Sequence, residues 1–136
     1  MADVTITATS VVKGANATIA NGYCGETITA GKAVYRSSTT GLWMLADSNS
    51  GTTEAKTPGG IALNGGAINQ PVAVQTAGEI TIGGTLVAGT GYYLSETPGG
   101  IQPATDLASG ENVAQIGLAR TTAILVIKLH APGVTL

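Results

Sequence analysis

The sequence has very little charge. Only 10% of its 136 residues are charged, against roughly 25% in an average globular chain, and Lys and Arg together number 6. A nucleic-acid-binding protein normally carries a basic surface that neutralises phosphates, and so few cations cannot provide one. A disordered chain is rich in charge and poor in apolar residues, whereas this chain is 43% hydrophobic. The composition therefore argues against both classes.

Reactive side chains are equally scarce. Cys24 is the single cysteine and has no partner for an internal disulfide, and one Cys with one His, His130, offers no zinc-binding set. The carboxylates are spread singly, and no second His or Cys is present to build an activated nucleophile. We therefore expect no enzyme, no metal and no cofactor.

Long apolar runs are absent as well. A membrane-spanning helix needs about 20 consecutive apolar residues, and the longest such run, residues 123–127, is far shorter. The first residues show neither the basic start nor the apolar stretch of a secretory signal. The sequence thus predicts neither a membrane partner nor a signal peptide.

The pattern that is present is β. Apolar and polar residues alternate in residues 4–7, 72–75 and 79–82, as in half-buried strands, and residues 123–129 resemble a buried final strand. Gly and Pro clusters separate these runs, and no stretch of ten residues keeps a helical period. We expect less than a tenth of the chain to be helical, with a single turn near residues 105–109. The predicted fold is all-β, a small β-barrel or a β-tulip or sandwich.

The chain also contains an internal repeat. Residues 27–37 and 85–95 share Thr, Ala, Gly, Tyr and Ser at the same spacing. A Gly-(Ile/Leu)-Ala triplet follows in each copy, at residues 60–62 and 117–119. Landmarks that recur in the same order indicate a duplicated supersecondary unit. The sequence therefore predicts one β domain, residues 25–136, with pseudo-repeats at about residues 25–76 and 83–130.

Residues 1–24 lie outside this repeat and are predicted to form an extended N-terminal arm. Such an arm can close the domain's own barrel, or it can add a strand to the sheet of another chain. Low charge also leaves the edges of β-strands prone to pairing with other chains, and an oligomer would bury them. We therefore expect a homo-oligomer.

Several segments resemble the small capsid decoration, or cement, proteins of tailed bacteriophages. In the first half the likeness rests on Ala-Gly-Lys-Ala-Val-Tyr at residues 30–35, Gly-Leu-Trp-Met-Leu-Ala at residues 41–46 and Gly-Gly-Ile-Ala-Leu at residues 59–63. In the second half it rests on residues 89–95 and 115–119. The likeness covers roughly residues 25–129 and consists of glycine-and-strand patterns without a catalytic signature.

This resemblance implies a β-barrel or β-tulip domain that binds the outside of an expanded phage head as a homotrimer. It would clamp neighbouring subunits of the major capsid protein, on the outer surface of the virion, after synthesis in the host cytoplasm. The arm would contribute Val4, Ile6, Val11 and Val12 to the capsid interface. Under this hypothesis, deletion of residues 1–12 leaves a folded oligomer that no longer binds heads.

Trp43 is the only tryptophan and is a candidate either for a core anchor or for an interface hot spot. The same alternative stays open for Tyr92 and Tyr93. Phage head-fibre and tail-knob domains share this style of sequence, so a carbohydrate-binding adhesin module is the alternative function. Tyr92 and Tyr93 are candidates for its aromatic platform.

Overall fold

The computed structural model describes residues 3–136 and confirms the all-β prediction. Helical residues amount to 7% and form only short 3₁₀ turns, Ala8–Ser10, Thr53–Lys56 and Ala104–Asp106. Within the described residues, no helix has the length and apolar character needed to cross a lipid bilayer. The strands are β1 (Val12–Lys13), β2 (Thr18–Tyr23), β3 (Ala33–Arg36), β4 (Trp43–Leu45), β5 (Gly60–Ala62), β6 (Pro71–Thr81), β7 (Gly91–Leu94), β8 (Ile101–Pro103), β9 (Gln115–Ala119) and β10 (Ile124–His130).

The strands form one curled antiparallel sheet with the shape of a half-barrel. Its order is β4-β3-β5-β6-β10-β9-β7-β8, and β1 and β2 both pair with β6. This order has an internal symmetry, because β4-β3-β5-β6 and β8-β7-β9-β10 are the same arrangement read from opposite edges. We call β2 to β5 with residues 71–75 of β6 the first half. The rest of β6 with β7 to β10 is the second half.

The pairing register repeats along with the strand order. Tyr35 pairs with Met44 in the first half, and Tyr93 pairs with Gln102 in the second. Likewise Ala62 pairs with Val74, and Ala119 pairs with Leu125. The similarity seen in the sequence therefore corresponds to equivalent backbone positions in the two halves.

Equivalent positions also fill the interior of each half. The small core cluster lies in the first half and consists of Cys24, Ile28, Val34, Trp43, Ala62, Val72 and Val74. The large core cluster contains the second-half counterparts of most of these residues. The matched pairs, each buried in both halves, are Cys24 and Ile82, Ile28 and Leu86, Val34 and Tyr92, Trp43 and Ile101, Ala62 and Ala119, and Val74 and Leu125.

The strand β6 joins the two halves and corrects one prediction. Residues 72–75 and 79–82 were predicted as separate strands, whereas β6 runs without a break from Pro71 to Thr81. Gly78 adopts a φ of +90° within it, a conformation that glycine tolerates and other residues rarely do. The chain can therefore bend at Gly78 and continue, with Val74 in the small core cluster and Ile80 in the large one.

Residues 4–7 are a second correction, because they form no regular strand. The Val4 amide donates to the Ile101 carbonyl at 2.8 Å, and the Thr7 amide donates to the Gly83 carbonyl at 2.8 Å. The segment thus bonds to two different parts of the second half, and a 3₁₀ turn follows directly at Ala8–Ser10. Residues 4–7 therefore do not form a continuous series of backbone hydrogen bonds with any one strand.

Candidate interaction surface

The second half carries an apolar face that the described residues cover only in part. Leu125 and Ala119 point into the large core cluster, so the residues next to them in β10 and β9 point outward. Cross-strand pairing places Val126 beside Leu118 and Leu118 beside Gly91. Two further pairs place Val12 and Ile124 on either side of Thr81. We call this surface the open face; its apolar side chains are those of Val12, Tyr93, Leu118, Ile124 and Val126.

The open face is apolar where an antiparallel sheet exposed to water is normally polar. Val12 is 55% exposed and Leu118 47% exposed, while Ile124, Val126 and Tyr93 are half-buried. Monomeric proteins expose few contiguous apolar patches, and larger ones usually mark binding sites. This surface is therefore the leading candidate for a protein contact.

One ion pair lies within the open face. Arg120 Nη1 donates to both carboxylate oxygens of Glu79 at 2.8 Å, and Glu79 pairs across the sheet with Val126. The two charges neutralise each other, while Lys128 lies farther along β10 at the margin. An exposed pair of this kind adds little to stability. Its effect here is to leave the centre of the face without net charge.

Most of the predicted arm interface points inward. Val11 is 8% exposed and belongs to the large core cluster, and Val4 and Ile6 pack against that cluster. Of the four predicted arm residues, only Val12 is largely exposed, at 55%. Within the predicted arm, residues 1–24, Met1 and Ala2 lie outside the described residues, and both β1 and β2 pair with β6. The N-terminal segment therefore contributes to this chain's own core.

Trp43 is 5% exposed and occupies the interior of the first half. The Gly25 amide donates to the Trp43 carbonyl at 2.7 Å, and Cys24 forms a bridge with Trp43. These contacts join the end of β2 to β4, so the first half curls back on itself around the indole. Burial also raises the pKa of the Cys24 thiol, which disfavours the thiolate that a nucleophile needs.

The two adjacent tyrosines have different environments because successive side chains of a strand point to opposite sides. Tyr92 is 3% exposed, and its hydroxyl oxygen accepts a hydrogen bond from the Val87 amide at 2.9 Å. Tyr93 lies on the open face. A joint platform made of both rings, as the adhesin alternative suggested, is therefore wrong.

A buried carboxylate links the two halves. Glu111 is fully buried, and its Oε1 accepts hydrogen bonds from Ser48 Oγ at 2.8 Å and Gln102 Nε2 at 2.7 Å. Its Oε2 accepts one from the Ala108 amide at 2.7 Å. No sequence pattern predicts this network, since Glu111 is an isolated carboxylate between strands. Because a fully buried carboxylate cannot touch a substrate, its role is to hold the Ser48 loop against the second half.

No cluster of three or more His, Cys, Asp or Glu residues that could hold a metal occurs in residues 3–136. His130, the only histidine, is exposed at the end of β10.

The first half has a shallow groove of about 390 Å³ beside Tyr23, which is 55% exposed. Asn64 of the β5–β6 connection, residues 63–70, forms part of one wall. The corresponding connection in the second half is shorter, residues 120–123. The Asn64 side chain fixes this wall, because its Oδ1 accepts from the Ala73 amide at 2.7 Å and its Nδ2 donates to the Pro71 carbonyl at 3.1 Å. No charged side chain lines the groove.

Comparison with models of protein families gives no match to this chain, and no curated protein matches its sequence significantly.

Proposed function

We propose that the chain is a structural module that binds the outer surface of a tailed-phage capsid and clamps neighbouring major capsid subunits. It acts as a homo-oligomer, with a trimer as the expected state, and works by contact rather than by chemistry. The proposal combines the resemblance of residues 25–129 to decoration proteins with the distribution of apolar side chains on the surface. Its location is then the outside of the virion, after synthesis in the host cytoplasm.

The observation that carries the proposal is that large apolar side chains are exposed at several separate places. Val12 and Leu118 lie on the open face, and Tyr23 lies beside the groove. Ile68 is exposed in the β5–β6 connection, and Val87 is 66% exposed in the β6–β7 connection. Val134 and Leu136 are exposed near the C-terminus. A module that contacts several neighbours at once needs contact points of this kind, whereas an enzyme needs one cleft with converging polar groups.

Weak contacts are sufficient for such a module. When one protomer of an oligomer is bound, the others are held near their own sites at a high effective concentration. The combined affinity can exceed that of a single contact by about 10²–10⁴-fold when the geometry allows simultaneous binding. A rigid oligomer attached to several capsid subunits then opposes their separation.

Co-sedimentation with phage heads tests this function. We expect the full chain to bind saturably to expanded heads that lack their decoration protein, and not to unexpanded heads, because the contact points must match the spacing of the expanded lattice. Bound and free protein would be measured by gel densitometry across a concentration series. Absence of binding to expanded heads, or equal binding to both forms, would contradict the proposal.

A carbohydrate-binding module is the second candidate, and the groove beside Tyr23 is the observation that favours it. An exposed aromatic ring can stack on the apolar face of a sugar, and the neighbouring Asn21 amide can hydrogen-bond to hydroxyls. The uncharged lining would suit a neutral sugar.

A glycan array with the full chain tests this candidate. If it is correct, the native chain binds a neutral glycan, Tyr23→Ala abolishes the signal, and Tyr93→Ala, at a half-buried tyrosine outside the groove, leaves it unchanged. No bound glycan, or binding that survives Tyr23→Ala, rejects the groove as a sugar site.

A further inference from the structure

We infer that the open face is the surface on which a second copy of this chain packs. This inference rests on the proposed function in one respect, since it assigns the contact that holds the proposed homo-oligomer together. The internal symmetry of the chain supports this assignment of the face.

The first half contains an equivalent face, and there the part that β3, β5 and Gln75 form is covered. The register of the two halves makes Ala33 equivalent to Gly91, and Ile61 equivalent to Leu118. Ile61 is fully buried in the large core cluster, whereas Leu118 is 47% exposed. Two further equivalent pairs show the same contrast: Tyr35 is buried and Tyr93 half-buried, and Gln75 is buried and Val126 half-buried.

The covering surface in the first half belongs to this same chain. Ala33, Tyr35 and Ile61 lie in one cluster with Leu94, Ile101 and Ile116 of the second half. A sheet of this sequence therefore already packs against the outward face of its own repeat. The second half presents an equivalent face, but within residues 3–136 no segment buries Leu118 as Ile61 is buried in the first half.

Charge also favours a second copy over a strongly charged partner. The Glu79–Arg120 pair is neutralised within the face, so an acidic or basic partner would gain no complementary charge and would lose hydration. This chain is only 10% charged and exposes several apolar side chains, so a second copy supplies the neutral surface that the face requires. Association would cover Leu118 as its counterpart Ile61 is covered in the first half.

The test is the mass of the full chain in solution, measured by sedimentation equilibrium over a series of micromolar concentrations. We expect the native chain to be oligomeric. Leu118→Asp should weaken association by about 100-fold, because it buries an unpaired carboxylate at the contact. Thr39→Asp introduces the same charge at an exposed residue of the β3–β4 connection, outside the open face, and should leave the mass unchanged.

Val12→Asp provides a second variant at the other side of the face, in case Leu118→Asp lowers the stability of β9; circular dichroism would check the fold of each. A native chain that stays monomeric at every concentration overturns the inference. So does an oligomer whose mass neither face variant changes.

These outcomes separate the inference from the proposed function. A monomer that binds expanded heads overturns the assignment of the face and leaves capsid binding intact. An oligomer that Leu118→Asp dissociates, but that binds no heads, supports the assignment and removes the capsid proposal.

Discussion

Removal of residues 1–12 is expected to lower the free energy of unfolding by about 4 kcal/mol, because the segment buries apolar side chains in the large core cluster. Val11 is almost fully buried, and Val4 and Ile6 pack against the same cluster. Their loss would expose core residues of the second half to water. Since native domains are stable by only about 5–15 kcal/mol, this truncation removes a large fraction of the total.

Urea denaturation of the truncated and full-length chains measures this change directly. A matched pair of point variants separates burial from chain length, because Val11 and Val12 are adjacent in sequence but buried and 55% exposed, respectively. Val11→Ser should lower the free energy of unfolding by about 2 kcal/mol. Val12→Ser should lower it by less than about 1 kcal/mol. Equal denaturation midpoints for the truncated and full-length chains would show that the arm is detachable, as the resemblance to decoration proteins implied.

Among glycine-to-alanine substitutions, Gly78→Ala is expected to lower the free energy of unfolding the most, by about 3–4 kcal/mol. Two effects combine at this position. The residue has a φ of +90°, which disfavours any side chain, and a Cβ there would collide with the backbone carbonyl of Asn16. The collision would push the backbone at Asn16 away from β6, at the point where the two halves join.

Gly89→Ala is the matched control. Gly89 has a φ of +83°, but a Cβ there would have no atom within 4 Å, so only the conformational cost of about 1 kcal/mol applies. Thermal unfolding of both variants, compared with the native chain, isolates the cost of the collision. If Gly78→Ala and Gly89→Ala lose the same stability, the close packing of Asn16 against β6 contributes nothing.

The fold class could be predicted because its signals are local. Alternation of apolar and polar residues fixes which segments favour strands, and the final strand predicted for residues 123–129 is β10, Ile124–His130. The continuity of β6 could not be predicted in the same way. Gly78 resembles a turn in sequence, and only pairing on both sides, with β2, β1 and β10, holds the chain extended across it.

The candidate site was predicted only in part. Val12 was among the expected interface residues and is exposed, but Leu118, the most exposed apolar residue of β9, was noticed only as part of the repeat. Alternation shows that neighbouring side chains point to opposite sides, but it does not show which side the rest of the chain covers. For this reason the sequence alone could not decide whether Trp43 belongs to the core or to an interface, and its burial in the small core cluster depends on the tertiary structure.

The sequence alone determined the β character, the repeated units and the scarcity of charge, because each depends on the identity and spacing of nearby residues. The tertiary structure alone decided which copy of each repeated residue is buried. Tyr35 and Tyr93 occupy equivalent positions, yet only Tyr35 is in the core. The physical reason is that the second half packs over the first and leaves its own outward face uncovered, a relation between distant segments that no local pattern contains.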